Sequence, residues 1–532
     1  MRIGNSFIKS IKSLPKWAII LSILTMLVLF AGAAVAFAND PTGAATSGKE
    51  MYKTVFPGMA IKEAIGKSAA SMNFVWTLLG GFLVFFMIAG FALLETGFCR
   101  AKNALHTMMM NLVVSLVGGI GWYIAGFALM FGGLGGIVTL GGGTELNGLF
   151  EITKGWGLFG TKGFFLLGTY SVSIYAFWFF QLVFMDTAAT IPTGPLAERW
   201  KFVSFIIFSF LMATIIYPLF GNWVWGGGWL SALGRNLGLG HGFVDFAGSS
   251  VVHTIGGLSG LAGAMILGPR IGKFNKDGSP NAIPGHHLPM ALLGTIILFF
   301  GWFGFNPGST LAATDLRIAV VVVNTLLAGC FGGVTTMLVM WKMFGKPDAS
   351  MTANGLLAGL VAVTAPCAFI EAWAAVIIGI VAGIIVVVAV LFVERVLKVD
   401  DPVGAVAVHG ANGLWGVLSL GLFADGTYGV GWNGVGAEAA KGVTGLFYGD
   451  ASQLVAQLIG IATAIVWGFG LSYLIFKAID KVVGLRVAPE EEIQGLDFPE
   501  IGALAYPDFS LVTGPRAEDI IVNDAAASAK RS

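Results

Sequence analysis

Apolar segments of about twenty residues follow one another along most of the chain, and they limit its fold more than any other feature. An apolar α-helix needs roughly 20 residues to cross the ~30 Å hydrocarbon core of a bilayer. Measured against that length, the sequence predicts eleven spans, at residues 72–95, 106–133, 164–189, 201–220, 245–268, 288–307, 316–341, 352–368, 370–393, 403–423 and 453–478. The sequence therefore predicts an all-α polytopic membrane protein with eleven transmembrane helices.

The composition supports this class of protein. Charged residues make up 11% of the 532 residues, whereas a soluble domain carries about 25%. The 77 glycines fit helices that approach one another closely in lipid, where packing drives association. A net charge of +1 gives no basis for binding nucleic acid. The three cysteines show neither zinc spacing nor a disulfide framework, and we expect no metal, no other cofactor and no enzymatic activity.

The two ends of the chain indicate segments outside the membrane. A basic start, an apolar run from Trp17 to Gly32 and an Ala-x-Ala site at 36–38 are typical of a secretory signal peptide. We therefore predict a signal peptide at 1–38, with an uncleaved first helix as the alternative. Residues 39–71 would form an extracytoplasmic N-terminal segment, 72–478 the eleven-helix domain and 479–532 a cytoplasmic C-terminal tail.

The loop charges predict the orientation of the spans. Fourteen Lys and Arg residues lie in one set of loops and just after the last span, against five in the opposite loops. Because positively charged loops stay in the cytoplasm, the mature N-terminus is predicted outside and the C-terminus inside. The four lysines within 39–71 do not reverse this bias. The expected location is the plasma membrane, which is the inner membrane of a bacterium.

One motif with an acid and a histidine occurs twice. DFAGSSVVHTIGGLSG from Asp245 and DPVGAVAVHGANGLWG from Asp401 share the pattern D-x-x-G-x-x-x-V-H-x-x-x-G-L-x-G. The two copies begin the fifth and tenth spans, and five crossings apart means opposite directions through the bilayer. The sequence therefore predicts a 5+5 inverted repeat, a transporter architecture, with one further C-terminal helix.

The repeat places a histidine at a similar depth from each side. At ~1.5 Å per residue, eight helical residues reach about 12 Å inward, close to the middle of the membrane. Asp245 and Asp401 are predicted to support their helices by capping the N-termini. His253 and His409 would meet near the midplane, where two imidazoles could bind a small polar solute without a fixed buried charge. The alternative is that each histidine is a hydrogen-bonded core residue.

Three aromatic stretches lie on or near the predicted outer side. They are FQLVF in the third span, WVWGGGWL after the fourth and WFGFNPGS at the end of the sixth. Aromatic faces attract cations, with a strength of roughly 0.5–2 kcal/mol. Together with the hydroxyl of Ser309, they could recognise a small ammonium-type ion. An ordinary interfacial aromatic belt is the alternative.

These motifs, in this order, resemble the ammonium transporter family (Amt, Rh and methylammonium permeases). The resemblance rests on DFAGSSVVHTIGGLSGLAGAMILGPR, WVWGGGW, GWFGFNPGS, VDDPVGAVAVHG and GLRVAPEEEIQGLD, and it covers about residues 72–507. ALLETGFCRAKN and YPLFGNWVWGGGWL look more like the cyanobacterial and plant-type branch. Two departures stand out: Ser249 replaces a family glycine, and the tail reads EIGALAY where HGExAY is common.

The resemblance assigns the aromatic residues to the outer part of a transport site. Trp225, Phe184 and Ser309 resemble the external site that recruits ammonium. Phe180, Phe184 and Phe305 resemble the phenyl groups that close the pore entrance, so Phe184 belongs to both sets.

The resemblance also implies the path and the partners. His253 and His409 resemble a twin-histidine pore, and Asp245 resembles an acid that supports the recruitment site without lining the pore. The implied function is a channel-like transporter that deprotonates ammonium and conducts ammonia, with methylammonium as a further substrate. The family forms homotrimers in the lipid bilayer, and a PII-type nitrogen-regulatory protein is a candidate partner at the cytoplasmic face.

Two other functions compete with transport. One is an ammonium sensor that signals to a regulatory partner, although the roughly 50 residues after Arg486 are too few for a separate signalling domain. The other is a membrane enzyme that uses the histidines as metal ligands, which would need a third ligand at the same depth.

The sequence also gives expectations for isolated polar residues. Glu95 is expected to pair with Arg100 or Lys102 at the cytoplasmic end of the first span. His286 and His287 are expected to be solvated. No partner is predicted for two further histidines, His106 and His241.

Overall fold

The computed structural model describes residues 61–436 and 441–507, and helices dominate this part of the chain. The predicted signal peptide and the tail beyond residue 507 lie outside the described residues, as does most of the segment 39–71. The long helices are α1 Ile61–Phe98, α2 Ala101–Phe131, α3 Val172–Leu196, α4 Phe202–Trp225, α5 Ser249–Leu267, α6 Leu288–Thr310, α7 Ile318–Phe344, α8 Ala349–Val363, α9 Ala372–Arg395, α10 Val406–Phe423 and α11 Ala451–Val483.

Short elements lie between and after these helices. Strands β1 Leu149–Glu151 and β2 Gly157–Gly160 form an antiparallel hairpin between α2 and α3. Two short helices are Leu233–Leu237 and Pro489–Gln494. Five of the long helices contain a π-helical segment, at Trp122–Gly126, Met212–Ile216, Ser249–Thr254, Val406–Ala411 and Val466–Leu471.

The predicted fold class is confirmed. Within the described residues, ten helices are long and apolar enough to cross a membrane, and α8 is a shorter apolar helix. The predicted eighth and ninth spans are separate helices, since α8 ends at Val363 and α9 begins at Ala372. The third span begins at Val172 rather than 164, because Gly163, Phe165 and Gly168 all have positive φ angles, which a right-handed helix does not accept.

Packing follows the inverted repeat. The repeat pairs each of the helices α1–α5 with the helix five places later. Helix α1 packs along α6, and α5 crosses α10, so the helices of these two pairs contact each other. Helix α2 packs on α4 in the first half, as α7 packs on α9 in the second. Helix α11 has no counterpart and packs against α4, α5 and α10.

The crossing of α5 and α10 depends on glycine. A Cβ atom on Gly257 would lie 2.3 Å from the backbone nitrogen of Gly410, and one on Gly413 would lie 2.4 Å from the Thr254 hydroxyl. In the repeat alignment Gly257 corresponds to Gly413, and Thr254 corresponds to Gly410. Each helix therefore uses the same glycine to approach the same position of its counterpart.

We call the end of the bundle where α4 and α6 end the aromatic face, and the end where α3 and α5 end the basic face. At the basic face Arg270 pairs with Asp400 at 2.8 Å and with Glu198 at 3.1 Å, and all three side chains are buried. Arg199 is also buried and donates to the Asp400 carbonyl at 2.8 Å. Because buried charges are costly without partners, this cluster fixes the loops that join α3–α4, α5–α6 and α9–α10.

The segment after α11 folds back across the basic face. The Asp497 carboxylate accepts from the backbone N–H of His106 in α2, and the Glu500 carboxylate accepts from that of Phe202 at the start of α4, both at 2.8 Å. Glu492 accepts from the backbone N–H of Ile271 at 2.7 Å. Near the starts of α2 and α4, the acidic side chains match the free N–H groups and the dipole of a helix, whereas the Glu492 contact holds the loop after α5.

Candidate functional site

The histidines of the repeat lie in contact at the crossing of α5 and α10. The Nδ1 atoms of His253 and His409 are 3.1 Å apart, and their rings stack at 5.2 Å with an angle of 23°. Both side chains are buried, and the Nε2 atom of His253 has no hydrogen-bond partner. Each histidine belongs to a π-helical segment, Ser249–Thr254 or Val406–Ala411. Such segments are rare and are frequent at functional sites.

Asp245 holds the start of α5. Its carboxylate accepts from the backbone N–H groups of Gly248, Ser249, Ser250 and Val251 at 2.8–3.1 Å. Helix α5 begins at Ser249 rather than at Asp245, because Gly248 takes a φ of 113° and turns the chain back over the carboxylate. A fixed start of the helix fixes the depth of the histidine one turn further along.

Asp401 makes the corresponding contacts at the start of α10. Its carboxylate accepts from the backbone N–H groups of Gly404 at 2.9 Å and Val406 at 2.8 Å. Ser249 uses its hydroxyl to bridge the Val361 carbonyl and the Ala365 N–H, both at 2.7 Å. That hydroxyl therefore joins the start of α5 to the C-terminal end of α8.

A cavity of about 190 Å³ opens at the aromatic face, and we call it the aromatic cavity. Its walls include Trp225, Phe184, Phe180 and Ser309. The Trp225 indole N–H donates to the Asp245 carbonyl at 2.6 Å, and the Ser309 hydroxyl donates to the Phe305 carbonyl at 2.7 Å. The backbone around Asp245 thus also fixes the indole ring of the cavity.

Stacked phenyl rings separate the aromatic cavity from the histidines. The rings of Phe184 and Phe305 stack at 4.1 Å with an angle of 28°, and Phe180 lies 4.8 Å from Phe184. Phe305 in turn lies 5.4 Å from the His253 ring, which also stacks on Trp302 at 5.2 Å. The order from the aromatic face is therefore cavity, phenyl rings, His253 and His409.

A second, much smaller cavity lies on the other side of the histidine pair, and we call it the His409 cavity. It has a volume of about 10 Å³. Its walls are mainly apolar, and its polar groups come from His409, Glu95 and Asn354. The two cavities and the residues between them form a series from the aromatic face towards the basic face.

Gln181 belongs to the aromatic cavity, although the sequence analysis did not single it out. It lies one residue after Phe180 and lines the same cavity. Its Oε1 atom is buried and has no hydrogen-bond partner. Its position as the polar residue of the aromatic stretch FQLVF could have indicated that it belongs to the site.

The expected partner of Glu95 is wrong. Arg100 pairs with Glu198, which lies 98 residues further along the chain. The Glu95 carboxylate instead accepts from the Asn111 amide at 2.9 Å and from the Thr193 hydroxyl at 2.7 Å. An ion pair with Arg100 would have required Glu95 to point towards the basic face, whereas it is buried inside the bundle.

Of the other histidines, His287 is exposed, as expected, whereas His106 and His241 are buried and His286 is half-buried. His286 lies between the Cys99 carbonyl, 2.8 Å from Nδ1, and the Tyr506 hydroxyl, 2.9 Å from Nε2, so its expected solvation is wrong. His287 accepts the backbone N–H of Met290 at the start of α6. The ring nitrogens of His106 and His241 have no hydrogen-bond partners. Across residues 61–436 and 441–507, no group of three or more His, Cys, Asp or Glu side chains could hold a metal ion.

Two contacting imidazoles at the crossing of the repeated helices, and a cavity that stacked phenyl rings close, fit a membrane transport protein of the inverted-repeat class. Residues 75–506 match the model of the Ammonium Transporter Family. The chain belongs to that family, and the resemblance seen in its sequence is confirmed.

Individual relatives agree with this membership. Ammonium transporter Amt2 of Archaeoglobus fulgidus is 48% identical over 442 residues, which is 82% of this chain and 89% of that protein. Ammonium transporter 1 member 3 of Solanum lycopersicum is 34% identical over 82% of this chain and 93% of its own length. A solved structure of a Sensor Amt Protein superposes with a TM-score of 0.71 at 38% identity, covering 82% of this chain and 99% of that one.

Proposed function

We propose that this protein transports ammonium by recruiting the ion at the aromatic cavity, removing its proton and conducting ammonia past His253 and His409. The observation that carries the proposal is the 3.1 Å contact between the two imidazoles, which lie directly behind stacked phenyl rings. The names of the relatives, which are ammonium transporters, support the same substrate.

Recruitment depends on aromatic faces and on acceptor oxygens. Trp225 and Phe184 present rings to the cavity, and cation–π attraction to such rings is worth roughly 0.5–2 kcal/mol. The Ser309 hydroxyl oxygen can accept a hydrogen bond while its O–H donates to the Phe305 carbonyl. The unpartnered Gln181 Oε1 offers a second acceptor. An ion with four N–H donors and a small radius fits this combination.

The phenyl gate favours loss of the proton. Phe180, Phe184 and Phe305 offer no hydrogen-bond acceptor, so a cation that passed between them would lose its hydration without replacement. The cost of such a transfer is many kcal/mol for an ion and much less for a neutral molecule. Ammonia can therefore cross the gate where ammonium cannot, and the proton passes to water in the aromatic cavity, which is open at that face.

The imidazole pair can pass a neutral molecule along. A contact between two Nδ1 atoms holds one proton, so one neutral ring donates and the other accepts. The Nε2 atom of the donating ring is then an acceptor, and that of the other ring carries a proton. The pair therefore offers one hydrogen-bond acceptor and one donor along the path. Ammonia both donates and accepts hydrogen bonds, so it can use both.

The proposed setting follows from the charges of the loops. We place the aromatic face outside and the basic face, with the tail, in the cytoplasm, as the positive-inside rule predicts for a plasma-membrane protein. We further propose a homotrimer, methylammonium as a second substrate and a PII-type regulatory protein as a partner at the basic face.

An ammonium sensor is the second candidate. One observation favours it: a protein named Sensor Amt Protein is 38% identical and matches over 99% of its own length. A sensor would bind ammonium at the same aromatic cavity, but its main output would be a change seen by a partner rather than flux.

The test is ammonium uptake and electrical current measured together in proteoliposomes. We expect the unaltered protein to take up ammonium and to reject potassium. His253→Ala and His409→Ala should each change the flux or the selectivity, because each removes one partner of the imidazole pair. His241→Ala serves as the matched control, since it removes a buried imidazole outside this path.

Two results would contradict the proposal. Unchanged flux and unchanged potassium rejection in both pore variants would remove the pore assignment. A wild-type protein that binds ammonium but moves none would favour the sensor.

A further inference from the structure

Glu95 is a buried acid that has no cationic side chain as a partner in the described part of the chain. Its side chain is 2% exposed, and within the described part of the chain it makes no ion pair, since Arg100 binds Glu198. Its hydrogen-bond donors are neutral: the Asn111 amide and the Thr193 hydroxyl. A lone carboxylate in such a place is costly, and ionisable groups inside membrane helices usually mark a functional path.

The Thr193 hydroxyl is shared between two acceptors. It lies 2.7 Å from Glu95 Oε2 and 2.6 Å from the Thr190 carbonyl, yet a hydroxyl carries a single proton. If Glu95 is ionised, Thr193 donates to it. If Glu95 is protonated, the acid can donate to the Thr193 oxygen while the hydroxyl proton turns to the Thr190 carbonyl. Both protonation states of Glu95 therefore have a complete hydrogen-bond arrangement here.

Glu95 also lines the His409 cavity, so it faces the path on the basic side of the histidine pair. The volume of about 10 Å³ suits a single molecule of the size of water, and ammonia is of that size. The Asn354 amide in the same wall donates to the Val403 carbonyl. Glu95 and His409 are thus the ionisable groups of this cavity.

We propose that Glu95 is an acid–base site for ammonia on the basic side of the histidine pair. Ammonia from His409 takes the proton of the Glu95 carboxylic acid, giving ammonium and a carboxylate, and the ammonium leaves towards the basic face. The carboxylate then regains a proton from water on that face, which leaves hydroxide in the solution there, and the steps reverse for outward flow. This inference rests on the proposed conduction of ammonia.

The groups around Glu95 fit this exchange. Thr193 from α3 and Asn111 from α2 stabilise the carboxylate by hydrogen bonds, and His409 from α10 shares the cavity wall. Asp401 at the start of α10 is the other acid whose charge acts on Glu95. A positive ammonium ion formed at this point would meet two acidic groups.

The experiment compares variants in proteoliposomes while the pH on the basic-face side is varied. Glu95→Gln keeps the size and an acceptor oxygen for Asn111 and Thr193, so a purely structural role predicts little change. An acid–base role predicts a flux at least about tenfold lower and the loss of its dependence on that pH. Glu95→Asp should restore part of the flux. Glu490→Gln, an exposed acid of the tail, is the matched control and should behave as wild type.

A second measurement does not depend on transport. An infrared spectrum of the protein in lipid should show a protonated carboxyl band that Glu95→Gln removes and that Thr193→Val shifts, because Thr193 is its hydrogen-bond partner. Wild-type flux and an unchanged pH profile in Glu95→Gln would overturn the inference. Absence of flux in the wild type would instead refute the proposed function.

Discussion

The glycine at the crossing of the two pore helices gives a sharp test of the site. Gly257→Ala adds one methyl group whose carbon would lie 2.3 Å from the backbone nitrogen of Gly410 and 2.7 Å from its Cα. Ordinary contacts begin near 3.4 Å, so α10 must move by about 1 Å. Neither imidazole is altered by the substitution.

The expected size of the effect follows from that displacement. A shift of about 1 Å would lengthen the 3.1 Å contact between His253 and His409 to about 4 Å, which is no longer a hydrogen bond. Overpacking costs about 1–3 kcal/mol, and alanine regains about 1 kcal/mol of helix propensity. We therefore expect the free energy of unfolding to fall by up to about 2 kcal/mol. A misplacement of 1 Å at a working site can cost up to about 100-fold in rate, so the flux should fall by about 10- to 100-fold.

The neighbouring glycine supplies the control. A Cβ on Gly410 would lie 3.6 Å from the nearest atom, the carbonyl carbon of Gly257, which is an ordinary contact. Gly410→Ala should therefore retain both flux and thermal stability. Thermal unfolding and ammonium uptake in liposomes measure the two effects. Equal behaviour of the two variants would refute the reasoning, because it would mean that this close approach does not set the geometry of the pair.

Three further outcomes follow from contacts at the two faces. Burial alone would raise the pKa of the Asp400 carboxyl, but hydrogen bonds and charge from Arg270 hold that pKa well below its usual range; Asp400→Asn should cost about 3–5 kcal/mol in thermal unfolding. The lowered pKa means that the folded protein stabilises the ionised carboxylate. The free energy lost in Asp400→Asn should therefore be full above about pH 4 and shrink as the pH falls further. Trp225→Leu should raise the ammonium concentration for half-maximal uptake by about 2- to 30-fold, and an unchanged value would exclude this ring from recruitment. Tyr506→Phe should remove the hydrogen bond to His286, worth about 1 kcal/mol, and speed hydrogen exchange of the tail; equal exchange rates would show that the bond contributes nothing.

The sequence predicted the features that depend on length and on repetition. The thickness of a bilayer sets the length of each helix, so apolar runs were enough to find the eleven helices. The duplicated motif fixed the positions of His253 and His409 in their helices, and the structure brings these residues into contact. The two helices run in opposite directions, and each histidine is eight residues after its acid. The contact between the histidines could therefore be predicted from the sequence.

Features that depend on distant partners were not predictable in the same way. The acid nearest to Arg100 in the sequence is Glu95, but its partner Glu198 lies on the loop between α3 and α4. The π-helical segments at both histidines leave no mark in the spacing of the motif, so the sequence did not reveal them. His286 looked solvated because its partner Tyr506 is 220 residues away.

The tail that crosses the basic face has a practical consequence. Residues 492–500 supply carboxylates to the backbone N–H groups of three chain segments that are far apart in sequence. Truncation before Glu492 would leave those N–H groups without their acceptors and would expose the adjoining arginine cluster to solvent. An affinity tag or a fluorescent reporter should therefore be fused after Tyr506, and a shorter fusion should lower yield and melting temperature even though every membrane helix is intact.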